Sequence, residues 1–298
     1  MDFGVMISPV PRKGTMQQML EANEVILQAA NRNGWGLWFV DHLQQEEMPY
    51  LEGWTQMVHT SARFPNLTVG PIVLCQSYRN PGQLANMAAT LQFLSNGKLI
   101  FGIGAGWKED EYLAYDYPFH PPKVRLDQLE EALDVIQALW TGARVTVDGE
   151  HYRVTEAVAL PAPDPAPPIM IGGNGNRTVS IAARRADWWN ADLATPEVFR
   201  EKVALLRDKS VAAGRAADAV RPTAFNMLSM SSDPDKVMRK PPREGIHMLA
   251  GTPDEVRDQI QEYQDAGVSY MQINFMDFPD VESVELFEEV AKDFASNG

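Results

Sequence analysis

A (β/α)8 barrel is the fold this sequence predicts, and three observations carry the prediction. Short runs rich in β-branched and aromatic residues alternate with longer amphipathic stretches, the pattern of parallel βαβ units. The short runs are nearly continuously apolar, as strands covered on both faces must be. Eight such pairs fit within 298 residues, which suits a closed barrel better than a doubly wound sheet of about five or six strands. The whole chain, 1–298, is therefore expected to be a single α/β domain, a TIM barrel with insertions.

The expected strands are 3–8, 37–41, 67–74, 99–104, 169–172, 187–191, 223–230 and 270–275. Between them, Leu129, Leu133, Ile136 and Trp140 recur on one face of a helix over 124–140. Asn80-Pro81, Thr195-Pro196 and Thr252-Pro253 each set a capping side chain before a proline at the first helical position. Glu255, three residues after Thr252, completes a capping box. Further helices are expected near 15–33, 52–63, 176–185, 197–213, 254–266 and 282–295, with Gly34, Gly214 and Gly267 as C-terminal stops. Two stretches break the alternation. Residues 144–160 read as a hairpin excursion turning at Asp148-Gly149, followed by a proline-rich connector over 161–168. Residues 231–251 have no clear period and read as a lid loop over the barrel mouth.

Composition narrows the function. Lys and Arg total 26 against 40 Asp and Glu, a net charge of −14 that repels phosphate backbones and anionic lipid, so neither nucleic acid nor membrane is an expected partner. The one cysteine, Cys75, cannot close an internal disulfide, and no Cys/His spacing suggests a metal site. No apolar run reaches the roughly 18 residues of a spanning helix, and no basic, signal-like segment opens the chain. A cytoplasmic protein acting on a small molecule is the expectation.

Barrel chemistry sits where strands end at the C-terminal face. The second strand ends in Asp41-His42, an imidazole able to move a proton beside a carboxylate able to fix its tautomer. The fourth ends in Gly102-Ile103-Gly104-Ala105-Gly106-Trp107-Lys108-Glu109. Trp107 stands where a dinucleotide fingerprint needs its third glycine, so these glycines either clear a path for a flat ligand or serve tight packing. The fifth runs into Gly172-Gly173-Asn174-Gly175-Asn176-Arg177, a glycine turn opening a helix, whose exposed N–H groups and Arg177 suit a phosphate. Cys75, near the end of the third strand, reads as a small buried hydrophobe. The lid holds Arg239, Lys240, Arg243 and His247, basic residues that suit an anionic substrate or cofactor tail.

Taken in order, Asp41-His42, Tyr78-Arg79-Asn80-Pro81, Leu94 through Trp107, Arg125 to Trp140 and Pro167 through Gly175 resemble the bacterial luciferase-like superfamily, most closely its branch of coenzyme F420-dependent oxidoreductases. The resemblance implies a luciferase-like barrel, often a homodimer, that holds F420, or alternatively FMN, across the C-terminal mouth. It implies a non-proline cis peptide around Val73 to Cys75. It places Asp41 and His42 at the reactive edge of the ring, with Leu74 and Cys75 behind it and Gly104 and Gly106 beneath. Gly172, Gly173, Asn174, Gly175 and Arg177 would take the phosphate. Trp107 and Glu109 would line the substrate side, with His247 of the lid as a further pocket residue. His42 is then the expected acid/base group, with Glu109 second and Asp41 beside it. With F420 the reaction is hydride transfer. With FMN it is oxygen insertion, the reduced flavin coming from a partner reductase. A barrel that binds flavin without catalysis is a further alternative. The acidic tail of F420 would call for Arg79, Lys108, Arg177, Arg184 and the lid cations.

Overall fold

A computed structural model describes residues 1–11, 13–241 and 246–295. Its strands are β1 (Asp2–Met6), β2 (Gly36–Phe39), β3 (Val69–Pro71), β4 (Leu74–Cys75), β5 (Phe101–Gly104), β6 (Val145–Asp148), β7 (Arg153–Ala157), β8 (Ile169–Gly172), β9 (Trp188–Asp192), β10 (Arg221–Met230), β11 (Met248–Gly251) and β12 (Tyr270–Phe275). The helices are α1 (Met16–Asn33), α2 (Gly53–Arg63), α3 (Pro81–Leu94), α4 (Glu109–Ala114), α5 (Pro122–Leu139), α6 (Asn176–Arg185), α7 (Pro196–Ala212), α8 (Pro253–Asp265) and α9 (Glu282–Lys292). Paired in parallel, the strands run β3-β2-β1-β12-β10-β9-β8-β5-β4. The third barrel strand is split: a cis peptide joins Ile72 to Val73, at the near edge of the expected segment, and separates β3 from β4. β4 pairs with β5, and a bridge from Val69 to Leu99 closes the ring.

The caps behave as their residue types require. Asn80, Thr195 and Thr252 accept first-turn N–H groups with proline following, and Gly34, Gly214 and Gly267 all take positive φ. Leu129, Leu133, Ile136 and Trp140 are buried. The barrel interior is filled in layers. Trp38, Ile100, Met170 and Tyr270 cluster toward the N-terminal end. A polar layer follows, in which Asn190 Nδ2 donates to Thr223 Oγ1 and Gln272 Oε1, each at 2.9 Å. Met6, Leu193 and Phe225, with Val40, Ile72, Met227 and Ile246 against them, form the apolar floor of the C-terminal mouth.

Two expectations on the excursions change. The hairpin is present as β6 and β7, but four residues connect its strands, because Asp148 pairs with Arg153 and the Gly149 N–H bonds to the Tyr152 carbonyl. Glu131 of α5 imposes this shape, its carboxylate accepting the His151 and Tyr152 N–H groups. A Cβ at Gly149 would fall 1.6 Å from that carboxylate, so a larger residue there would have to displace Glu131 from these N–H groups. The 231–251 stretch contains β11, which lies beside the C-terminal half of β10. The remainder of that stretch includes residues 242–245, Arg243 among them, which lie outside the described residues.

Candidate active site

β2 carries the chain into the mouth at Asp41-His42, and the two side chains go to different partners. His42 Nδ1 lies 3.1 Å from Glu111 Oε2. Glu111 is fully buried on α4. Its Oε2 also accepts from the Tyr78 hydroxyl at 3.0 Å, and its Oε1 accepts from Lys108 Nζ at 2.8 Å. Burial opposes ionisation of Glu111, but the bonds and charges of His42 and Lys108 outweigh it and hold the carboxyl down at about 2. A carboxylate that stays ionised can only accept, so the His42 Nδ1–H donates to it and Nε2 is the ring nitrogen left to accept. The ring meets Trp107 edge-on, centroids 5.8 Å apart, and Trp107 is itself 57% exposed. Lys108 Nζ also bonds the Gln44 carbonyl at 2.9 Å, tying the loop after His42 to α4.

Glu109, expected as the second acid/base group, is exposed on the first turn of α4. Successive helical residues are rotated by about 100°, so it is Glu111, two positions on, that faces inward. Asp41 does not orient His42. Its carboxylate forms two 2.8 Å bonds with Arg79 and accepts the Cys75 N–H at 2.8 Å. Burial raises the Asp41 pKa, and Arg79 and the Cys75 N–H pull against that rise. Arg79 reaches Glu52 as well, the carboxylate that caps α2.

The residues expected around the ring also divide. Leu74 belongs to the main core and Cys75 to a cluster with Tyr78 and Tyr112, while Ile72 is the one at the mouth floor. Gly104 and Gly172 make room for Val73, whose methyls lie within 3.0 Å of where their Cβ atoms would stand. At Gly106 (φ +74°) a Cβ would come 2.1 Å from the Tyr112 hydroxyl. These three glycines therefore serve close packing beneath the mouth. Cys75 Sγ sits 2.9 Å from that hydroxyl, and burial pushes its thiol up to about 11. We expect the native protein to resist iodoacetamide at pH 8 and to be modified stoichiometrically once unfolded, as read by intact mass.

The turn from β8 into α6 remains open. Gly173 holds φ +128°, and no side chain caps α6 and no acid sits in its first turn, leaving N–H groups at the positive end of the helix dipole. Asn174 is bonded both ways to the Asp192 backbone. Arg177 is drawn to Asp127 and Glu130 of α5, a carboxylate pair close enough to compete with any phosphate for it. Arg184 joins Glu130 and Arg239 joins Glu255. His247 turns out of the mouth, Nδ1 2.8 Å from the Tyr263 hydroxyl of α8, whereas its neighbour Ile246 packs into the mouth floor. Among the described residues, none group as a metal site and no helix is long and apolar enough to cross a membrane.

An eight-stranded parallel barrel with a histidine-carboxylate pair at its C-terminal rim is an enzyme architecture. The family model for luciferase-like monooxygenases matches residues 1–247, and the chain belongs to that family. It is 32% identical to an F420-dependent glucose-6-phosphate dehydrogenase of Microbacterium testaceum (strain StLB037) over 60% of this chain and 54% of that protein. A protein of the same name from Nakamurella multipartita is 31% identical over 71% of this chain and 64% of its own. The chain thus matches between about half and two thirds of the length of these relatives. In fold it is similar to an F420-dependent secondary alcohol dehydrogenase solved with an F420-acetone adduct, at TM-score 0.84, 18% identity and 99% coverage of both chains.

Proposed function

We propose that this chain is an F420-dependent oxidoreductase that moves a hydride between the deazaflavin and a small organic substrate. The observation that carries the reading is the His42–Glu111 pair at the barrel mouth, beside Trp107 and above an apolar floor. The names of the relatives support F420 as the cofactor. The uncapped start of α6 suits its phosphate, through backbone N–H groups and with Arg177 engaged elsewhere. Ile72, with Val73 wedged between Gly104 and Gly172, would support the ring from below. Bound F420 supplies the hydride donor or acceptor. His42 Nε2 takes the substrate's hydroxyl proton in oxidation or returns it in reduction, while Glu111 stabilises the imidazolium. Titrating the protein separately with F420 and FMN, read by cofactor fluorescence, is expected to show saturable F420 binding at least about tenfold tighter than FMN. The reverse preference would overturn the proposal in favour of flavin-dependent oxygen chemistry.

The proposal extends to a homodimer. Val58 of α2 and Leu94 of α3 are exposed on a groove of about 530 Å³ lined also by Trp54, Met87 and Leu91, and Phe93, next to Leu94 in the chain, is exposed as well. A two-fold contact would bury this apolar face against its own copy. Light scattering is expected to report twice the 33.2 kDa chain mass. Phe93→Glu is expected to return the protein to a monomer.

A further inference from the structure

The opposite pole of the barrel holds a second cavity that the proposed reaction does not use. It measures about 480 Å³ and opens between the N-terminal ends of the strands. Phe3, Trp35, Trp188 and Tyr270 give it aromatic walls, Arg221 lies within it and Lys292 stands at its rim. Two glycines let the rings beneath it pack closely: a Cβ at Gly4 would come 2.2 Å from the Trp38 indole nitrogen, and one at Gly36, which lines the cavity, would come 2.3 Å from the Tyr270 hydroxyl. The indole nitrogen donates to that hydroxyl at 3.1 Å, locking both rings in place. The Trp38–Met170–Tyr270 layer and the polar layer above it separate this cavity from the catalytic mouth.

Arg221 is the feature that gives the cavity a chemistry. Its guanidinium lies 4.7 Å from the Trp188 ring centroid and 5.2 Å from that of Tyr270. Nε donates to Ser269 Oγ at 3.1 Å, and Nη2 to the Ser269 carbonyl at 3.0 Å and to Asp2 at 2.5 Å. Nη1 has no bond among the described residues, and the side chain is about one-third exposed. A planar cation thus rests on aromatic rings with one edge fixed and the other presenting donors. Lys292, although paired with Glu289, adds a second positive group, against the single carboxylate of Asp2.

We propose that this pole binds a small monocarboxylate with an aromatic or bulky apolar body. The carboxylate accepts from Arg221 Nη1 and the body packs against Trp188, Tyr270 and Trp35. A cavity of this volume whose mixed lining sets aromatic side chains beside a convergent guanidinium has the make-up of a site for a ligand with both an apolar body and an anionic group. The proposal is independent of the F420 reading.

Isothermal titration of the native protein with benzoate tests it, with benzyl alcohol as the uncharged analogue and acetate as the anion without a body. Saturable benzoate binding is expected, with each control at least about tenfold weaker and with the affinity unchanged when F420 is saturating. Arg221→Met should weaken benzoate by a similar factor, and Arg221→Lys by less. Absence of saturable benzoate binding, equal binding of either control, displacement by F420, or an Arg221→Met protein that folds and binds benzoate unchanged would each overturn it. The comparison of ligands on the native protein stands even if the substitutions impair folding.

Discussion

Replacing His42 by Ala is expected to lower kcat for hydride transfer by roughly 100-fold or more while leaving F420 affinity within about threefold. The asymmetry follows from what the ring touches. One nitrogen bonds a buried carboxylate, the ring meets Trp107 in an edge-on arrangement, and the other nitrogen is the one left to accept a proton. The groups suited to the phosphate and the ring's support, the α6 N-terminus and Ile72-Val73, lie on other strands and are untouched by the change. Without the imidazole a substrate hydroxyl must lose its proton to water, and the positive charge that Glu111 stabilises never forms. Glu111 is held at about 2 and stays ionised across the working range, so it enters the proposed transfer only as an acceptor. Stopped-flow measurement of deazaflavin absorbance at saturating substrate reads the hydride step directly. Turnover within a few-fold of the unsubstituted protein would remove His42 from the mechanism.

The His42–Glu111 pair proposed for catalysis also shows where reading the sequence reaches its limit. Barrel strands announce themselves by apolar runs and helices by caps, and the eight barrel positions lie close to where those signals put them. His42 could be singled out because a strand end is a position of known consequence. Its partner could not, since α4 is only six residues long and has no side-chain cap to mark its start. Three carboxylates, Glu109, Asp110 and Glu111, stand in a row there, and only the rotation of a short helix decides which one is buried. A similar blindness covers Arg177. Beside a glycine turn it looks like a phosphate ligand, but α5 offers Asp127 and Glu130 across a helix interface that no local pattern shows. β11 escaped notice because its four residues sit in a loop-like stretch and gain their structure from pairing with β10. Asp41-His42 illustrates the same point in a pair. Adjacent residues on an extended chain point to opposite sides, so two neighbours that look like one constellation serve separate ones.

Asp41→Ala is expected to be the most destabilising single change near the site, by about 3–5 kcal/mol, because it removes one member of a buried ion pair and leaves the other. The Arg79 side chain is only 13% exposed and spends both terminal nitrogens on Asp41. Its other carboxylate partner, Glu52, contributes one bond and is already committed to capping α2. The same substitution orphans the Cys75 N–H in the short strand β4, where a buried donor without an acceptor has its own cost of about 1–3 kcal/mol. For a chain of this length the loss corresponds to a fall in Tm of roughly 5–10 °C, measurable by calorimetry. The double variant Asp41→Ala/Arg79→Met separates the causes. If the stranded cation dominates, removing it as well recovers part of the stability, and the two effects are strongly non-additive. If the double variant instead loses the sum of the two single changes, packing and the Cys75 bond carry the loss, and the ion pair is a by-product of their geometry. The first outcome would also explain why this carboxylate, next to His42 in sequence, takes no part in the proposed proton transfer: its oxygens are spent on Arg79 and the Cys75 N–H, which fix the third strand's end beneath the mouth.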